Sequence, residues 1–479
     1  MVNLKKEWEK HKANVNPGYK NPKEAKRIAE HQIKQDLLDE GVLRWKSDID
    51  KEKEMEDLIS SYFSKEDLAE QILDLNPFYY DNSKIWWSWN SKEFKWKIQD
   101  ETDILNIVRK SSNYNTVNSK EKSEILEALR QEARFRKPKP AKKTWVQFKN
   151  KIVDVATGEE FEATKEYFIT NPIPWEMHPD RFVETPVMDK LFIEWVGEEH
   201  TKTLKQIIAY CLIPDYPIHR LFCFIGSGLN GKSKFLELLR RFIGENNVTS
   251  TELDTLMNSR FEITKLHKKL ACVMGETNFN ELNQTSTLKK LTGQDVIGFE
   301  YKNKNPFDDL NYAKILIATN SLPTTSDKTV GFYRRWLIID FPNQFNEVKD
   351  ILATIPDEEY QCLAVRSMLI LRELLDEKKF HNEGDIEARM KKFEEKSDFL
   401  KKFISDYLIE QIGEHITKND FKKQFDAWCI ENRHRVLAPN SLSMKMKTHG
   451  IVGGKKYFDW LYDGKGGQAR VWEDVKWKD

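Results

Sequence analysis

His219–Phe242 reads HRLFCFIGSGLNGKSKFLELLRRF. Leu221–Ile225 is an unbroken apolar run of strand length, and Phe235, Leu236, Leu238, Leu239 and Phe242 recur at the spacing of one buried helix face. Between them Gly226-Ser227-Gly228-Leu229-Asn230-Gly231-Lys232-Ser233 fits the pattern G-x-x-x-x-G-K-[ST] in full. The stretch therefore predicts a buried strand, a tight loop and an amphipathic helix in succession. Glycines let backbone N–H groups turn inward around a phosphate without a Cβ clash. The helix N-terminus adds free donors and the positive end of its dipole. An ammonium at Lys232 neutralises β- and γ-phosphates, and a hydroxyl at Ser233 ligates Mg²⁺. ATP and Mg²⁺ are the expected ligands, with Gly226 to Ser233 around the phosphates.

Strand and helix signals alternate from 219 to 341, which predicts an α/β core with a parallel-rich sheet. A second strand, Leu270–Met274, ends at Gly275-Glu276. A carboxylate there can hold Mg²⁺ through water or polarise the attacking water. A third, Lys314–Ala318, ends at Thr319-Asn320, where an amide can orient that water or sense the γ-phosphate. GFYRRWLIIDF, residues 331–341, places Arg334 and Arg335 just before a fourth apolar run. Either arginine is a candidate to reach a neighbouring subunit's site and stabilise transition-state charge.

The ordered set GSGLNGKSKF, ACVMGETN, LKKLTGQDVIGFEYKNKNPF, ILIATNSLP and GFYRRWLIIDF resembles the superfamily 3 helicases, in particular the primase–helicases of phages, plasmids and poxviruses. The likeness covers about 76–479 and is strongest over 219–345. It implies an AAA+-like P-loop core assembled as a ring, with a hexamer expected, that translocates on single-stranded DNA and unwinds forked duplex during replication of a phage, plasmid or viral genome. It also implies a pore hairpin between acid strand and sensor. Val296–Tyr301 would be one arm and Lys302 and Lys304 the tip, gripping DNA phosphates. Lys289 and Lys290 precede it and support the site or the pore. Phe299 and Glu300 stand where this family often has a basic residue. Many relatives carry a primase domain. Here the acidic pair Asp48-Ile49-Asp50 sits in a charged helix or turn and not on a strand, so no primase activity is expected and a separate primase or replication protein is an expected partner.

Five segments are expected. They are a helical arm at 1–75, an α+β domain at 76–180, the ATPase domain with its preceding helices at 181–345, a helical linker or lid at 346–395, and a winged helix at 396–479. The basic stretch 134–143 reads as a linker. In the last segment Asn440–Thr448 is the third helix, with Lys445 and Lys447 near DNA phosphates and a hairpin around Asp463–Gly467 as the wing. Asp459, Asp463, Glu473 and Asp474 dilute its charge, so a protein-contact module is the alternative. The aromatics Tyr79, Tyr80, Trp86, Trp87, Trp89 and Trp96 either stack on bases or fill a small β core.

With 77 basic and 77 acidic residues among 479, the chain has no net charge, so nucleic-acid binding has to come from local basic patches. Cys211, Cys223, Cys272, Cys362 and Cys429 lack metal-ligand spacing and read as free thiols of a reducing compartment. The N-terminus has no apolar leader and no stretch is long enough to span a membrane, so a cytosolic protein is expected. An ATP-switched initiator that binds origin DNA without processive unwinding, and a DNA-packaging translocase, are the rival functions.

Overall fold

The computed structural model describes residues 65–111, 119–178, 184–226, 228–275, 281–282, 284–346, 350–431, 436–458 and 466–478. The expectations placed on residues 1–64, Ser227, Glu276 and the tip of the C-terminal hairpin lie outside the described residues.

The described chain falls into two compact units, 65–140 with 164–170, and 141–163 with 171–478. In the smaller unit a helix, Lys65–Leu75, ends at Asn76-Pro77, and a three-stranded antiparallel meander follows (Phe78–Tyr80, Trp86–Asn90, Lys95–Gln99). Phe78, Tyr80 and Trp86 are buried against Ile72, Ile104 and Leu129 of the neighbouring helices. Trp87 and Trp96 are buried as well, with Trp87 Nε1 donating to Asp81 at 2.8 Å. These aromatics fill a core; only Tyr79 and Trp89 of the cluster are half-buried.

The break between the units falls inside the basic stretch 134–143, and the strands at Trp145–Gln147, Ile152–Asp154 and Glu160–Phe161 do not stay with the meander. Phe148 bridges to Ile173, and Val146, Val153 and Val155 fill the main core of the larger unit. Burial of those side chains carries the hairpin across the boundary that the sequence placed near 180.

The larger unit is built on a five-stranded, all-parallel sheet. The elements that position the site are, in chain order, α1 (Pro186–Tyr210), β1 (Leu221–Ile225), α2 (Lys232–Ile243), β2 (Val248–Ser250), β3 (Ala271–Met274), α3 (Thr285–Leu291), β4 (Val296–Phe299), β5 (Phe307–Leu310), β6 (Lys314–Thr319), α4 (Val330–Tyr333), β7 (Trp336–Asp340), α5 (Asp357–Glu377) and α6 (Ile386–Ser397). The strand order is β2-β3-β6-β1-β7. β1, β3, β6 and β7 are buried on both faces, as a parallel sheet covered on both sides requires, whereas the edge strand β2 is buried only at Val248. Alternate residues of β1 serve different cores: Phe222 and Phe224 pack with α1, α2 and α5, whereas Leu221, Cys223 and Ile225 pack with α3, the β4–β5 hairpin and Phe393 of α6. Met274, Thr319, Ile225 and Asp340 all end at the same edge, where ligands settle in open α/β sheets.

α1 is a kinked helix, with Gly197 at φ 75° interrupting it. The C-terminal segment contains α7 (Phe399–Tyr407), β8 (Leu408–Thr417), α8 (Lys418–Glu431), α9 (Pro439–Thr448), β9 (Gly453–Phe458) and β10 (Gly467–Trp477), with antiparallel order β8-β10-β9. It has its own core of Phe403, Phe421, Phe425, Met446 and Trp472 but clusters with the larger unit. Among the described residues no helix is long and apolar enough to cross a membrane.

Candidate functional site

The loop after β1 is held in a conformation that ordinary residues avoid. Gly228 and Gly231 have φ of 93° and 91°, and Leu229 has φ of 49°. Left-handed backbone costs a side-chain-bearing residue roughly 1–2 kcal/mol, so the glycines are chemical requirements here. A Cβ at Gly226 would lie 1.8 Å from Asn230 Nδ2 and 2.6 Å from the Phe341 carbonyl; one at Gly231 would lie 2.4 Å from Trp195 Cδ1. The loop is therefore wedged between the end of β7 and α1.

Two braces fix it. Asn230, 2% exposed, donates from Nδ2 to Phe341 O at 3.2 Å, and Phe345 N–H donates to Leu229 O at 2.7 Å. Gly226 N–H donates to Thr319 O at 3.3 Å, which joins the loop to the strand that carries Asn320.

Lys232 opens α2, and its ammonium is aimed back into the loop. Nζ donates to Gly226 O at 2.5 Å, to Asn230 Oδ1 at 2.9 Å and to Asn320 Oδ1 at 3.4 Å. Two of the positions singled out in the sequence, Lys232 and Asn320, thus meet although 88 residues separate them. Ser233 is exposed on the first turn of α2. A cavity of about 1190 Å³ opens over this arrangement, lined by Trp195, Leu229, Lys232, Ser233, Gly275 and Phe345 among others. Its lining combines apolar side chains with the Lys232 ammonium at the N-terminus of α2, chemistry that suits an anionic ligand with an apolar part. Gly275, which precedes Glu276, belongs to this lining; Glu276 itself lies outside the described residues. Among the described residues no group of three His, Cys, Asp or Glu could hold a metal alone. A metal brought with its own phosphate ligands needs no such group.

Asp340, at the end of β7, is neutralised by Lys392 at 3.0 Å and Lys396 at 2.6 Å from α6. Burial would raise its carboxyl pKa, but the two ammonium groups hold it below the ordinary value. This pairing pins α6 beside the site.

Arg334 and Arg335, adjacent in sequence, face opposite ways. Arg334 is exposed. Arg335 is 7% exposed and turned inward, bonded to Thr292 Oγ1 and to the carbonyls of Lys289 and Gly331. The expectation that either could reach a neighbour is corrected for Arg335, whose guanidinium is consumed inside its own chain. Lys289 is also tied, to Asp327 at 2.5 Å.

The expected hairpin is present: β4 pairs antiparallel with β5 from Val296↔Leu310 to Phe299↔Phe307. Lys302 is exposed and Lys304 half-buried in the turn between the arms. Phe299 is fully buried and Glu300 pairs with Arg260 at 3.2 Å, so both stabilise the stem. Lys445 and Lys447 lie in the last turn of α9. Lys447 is exposed, and Lys445 is half-buried with Nζ 5.8 Å from the Phe399 ring centre.

Sequence reading did not find Trp195 beside the loop, nor His267 and Asp309 at the hairpin. Trp195 gave only the signal of an apolar helix face, and the other two sit in charged runs far apart in the chain.

The fold and site thus define a parallel α/β protein with a glycine-loop cradle at the strand ends. Residues 224–335 match the model of a family described as "Family of unknown function (DUF5906)". Over 277 residues the chain is 22% identical to "Putative helicase L207/L206" of Acanthamoeba polyphaga mimivirus, covering 50% of this chain and 28% of that protein. The chain therefore spans little more than a quarter of the length of that relative. Among solved structures, the apo NrS-1 C-terminal region (305-718) is similar with a TM-score of 0.44 and 14% identity, over 85% of this chain and 98% of that one. A second, the A form of the same region, gives a TM-score of 0.42 and 12% identity over the same shares.

Proposed function

We propose that this chain is the motor part of an ATP-dependent DNA helicase of the superfamily 3 type, active as a ring, most simply a hexamer, in replication of a viral or other mobile genome. The observation that carries the reading is the position of Lys232 Nζ, 2.5 Å from Gly226 O and 3.4 Å from Asn320 Oδ1 inside a loop of left-handed glycines. An ammonium caged by oxygens at a helix N-terminus exchanges those acceptors for phosphate oxygens when ATP enters. The name of the mimivirus relative, a helicase, agrees with this assignment.

In this reading the loop N–H groups and Lys232 hold the phosphates. Ser233 would hold Mg²⁺, which when bound would neutralise phosphate charge. Asn320 orients the attacking water or senses the γ-phosphate, and Glu276 activates that water or holds the metal. Arg334 projects toward the next subunit. Lys302 and Lys304 contact the single strand as it passes the hairpin. The C-terminal segment, with its α-β-α-α-β-β order, acts as a winged helix that presents α9 with Lys445 and Lys447 to duplex DNA.

The exposed Lys447 on α9 favours a second reading, an ATP-switched initiator that binds duplex without processive unwinding. The test is ATP hydrolysis with and without single-stranded DNA, wild type beside Lys232→Ala, followed by unwinding of a forked duplex. DNA-stimulated hydrolysis that disappears in Lys232→Ala, together with unwinding, is the expected result. Hydrolysis indifferent to single-stranded DNA would remove the motor reading and leave the initiator.

A further inference from the structure

Arg335 lies where two segments distant in sequence meet. Its Nε donates to Thr292 Oγ1 at 3.0 Å and its Nη2 to Lys289 O at 3.2 Å, both at the C-terminal end of α3. Its Nη1 donates to Gly331 O in α4. Thr292 is fully buried, and its hydroxyl also donates to Leu288 O at 2.8 Å. A Cβ at Gly293 would come within 3.0 Å of Arg335 Nη2 and 2.6 Å of Lys289 O, so the chain is kept bare where the guanidinium lies. The planar fork suits three acceptors fixed in different directions; a lysine offers a single point charge in their place.

A second strap runs parallel to the first. Asp327 accepts from Thr285 Oγ1 at 2.5 Å and pairs with Lys289 at 2.5 Å, and Lys289 Nζ also donates to Thr329 Oγ1 at 3.0 Å. The segment 327–331 that leads to Arg334 is therefore bound to α3 at both of its ends. α3 in turn runs through Thr292, Gly293, Gln294 and Asp295 directly into β4, the first arm of the hairpin. Hairpin root and arginine turn share one rigid attachment.

We propose that Arg335 is a positioning residue: it locks the turn presenting Arg334 to the root of the β4–β5 hairpin, so that the aim of Arg334 at a neighbouring subunit's nucleotide follows the position of the hairpin. This rests on the reading of Arg334 as the residue that acts in trans. It assigns the paired arginines different tasks, one touching the neighbour's phosphates and one acting only through the other.

The test compares wild type, Arg334→Ala, Arg335→Lys and the double variant. Hydrolysis is measured with radiolabelled ATP at saturating single-stranded DNA, so that every rate stays above a Lys232→Ala blank; ATP affinity and thermal unfolding are measured alongside. Arg334→Ala is expected to lower kcat by about 10³-fold. Arg335→Lys is expected to lower kcat at least tenfold with KM for ATP unchanged, and the double variant to match Arg334→Ala alone. Losses that multiply in the double variant, or a wild-type kcat in Arg335→Lys, overturn the proposal. A wild-type kcat in Arg334→Ala overturns the trans reading itself, and the proposal with it. Should Arg335→Lys fail to fold, Thr292→Val removes one acceptor at nearly constant shape. Its smaller loss of kcat is expected to vanish in the Arg334→Ala background, and a loss that persists there overturns the proposal.

Discussion

Tyr301 Oη lies 2.9 Å from His267 Nδ1. The other ring nitrogen of His267 is 3.2 Å from Asp309 Oδ2, on the returning arm of the hairpin. A carboxylate only accepts, so Nε2 donates to Asp309, which leaves Nδ1 to pair with the Tyr301 hydroxyl. One imidazole thus holds the chain at both ends of the hairpin turn. Lys268 adds an ammonium at 2.7 Å from the same carboxylate, and Tyr301 stacks on Phe307 at 6.1 Å between ring centres. His267 lies four residues before β3, the strand that leads to Glu276. The hairpin is therefore anchored to the segment that enters β3, the strand followed by Gly275 of the cavity lining. Tyr301→Phe keeps the stacking and removes one hydrogen bond, worth about 1 kcal/mol. Amide exchange across 296–310 is expected to quicken while exchange in α2 stays unchanged. Unaltered exchange in 296–310 would show that packing alone fixes the hairpin.

Lys314, the first residue of β6, is fully buried; its Nζ donates to Ile213 O at 2.5 Å and lies 4.9 Å from the Tyr210 ring centre. Burial pulls its pKa from 10.5 down to about 7, against the opposing pull of Cys211 and Asp215. Between those two values the unfolded chain binds more protons than the folded one, so this residue makes stability rise with pH across that window. Below it, the penalty for burying the ammonium is present in full. Burial raises the pKa of Tyr210, Tyr216 and Cys211, which makes stability fall at alkaline pH, largely alike in wild type and in Lys314→Met. The unfolding free energy of wild type minus that of Lys314→Met, from urea denaturation, is expected to grow from about pH 7 to pH 9.5. A flat difference means that Lys314 stays charged in its aromatic surroundings.

Much of the site was legible because its signals are local. The run Leu221–Ile225, the glycine spacing and the one-sided helix after Lys232 each follow from a few neighbouring residues, and Asn320 was found because a strand end marks it. What stayed hidden depends on contacts between distant segments. Nothing in the dipeptide Arg334-Arg335 says which side chain turns inward; that is decided by Thr292 and by the carbonyls of Lys289 and Gly331. β8, Leu408–Thr417, escaped because its buried residues are confined to its two ends, Leu408 and Ile416, with exposed residues between and a register shift from Glu410 to His415. The domain boundary failed for a similar reason: Phe148 finds its partner, Ile173, across a segment that returns to the other unit.

The hairpin and α9 offer different surfaces, and salt dependence separates them. Each lysine that neutralises a phosphate of single-stranded DNA contributes about 0.7 to the slope of log affinity against log salt. Replacing Lys302 and Lys304 by alanine is expected to reduce that slope by about 0.7 for each of the two ammonium groups that neutralised a phosphate, to abolish unwinding, and to leave duplex binding intact. Replacing Lys445 and Lys447 is expected to weaken duplex binding and to spare the single-strand slope. Fluorescence anisotropy across a salt series reads both. An unchanged single-strand slope in the hairpin variant would remove these lysines from the DNA path.

Gly231 meets two separate constraints, and they can be told apart. Its φ of 91° disfavours any side chain, and a Cβ would stand 2.4 Å from Trp195 Cδ1 and 2.6 Å from Nε1. The first cost is intrinsic to the backbone, roughly 1–2 kcal/mol. The second depends on a ring packed between Phe192 and Phe235, which cannot retreat without disturbing the core under α2. Gly231→Ala is expected to lower ATP affinity at least tenfold, because the loop and the Lys232 ammonium shift together, and to lower the melting temperature. Trp195→Leu gives the methyl group room. In that background Gly231→Ala is expected to cost less stability than it does beside Trp195, while the loss of ATP affinity persists because the backbone strain remains. Calorimetric titration with ATP and thermal unfolding of the four proteins decide the matter. If the two losses of stability simply add, Trp195 is not what Gly231 makes room for, and the backbone conformation alone accounts for the glycine.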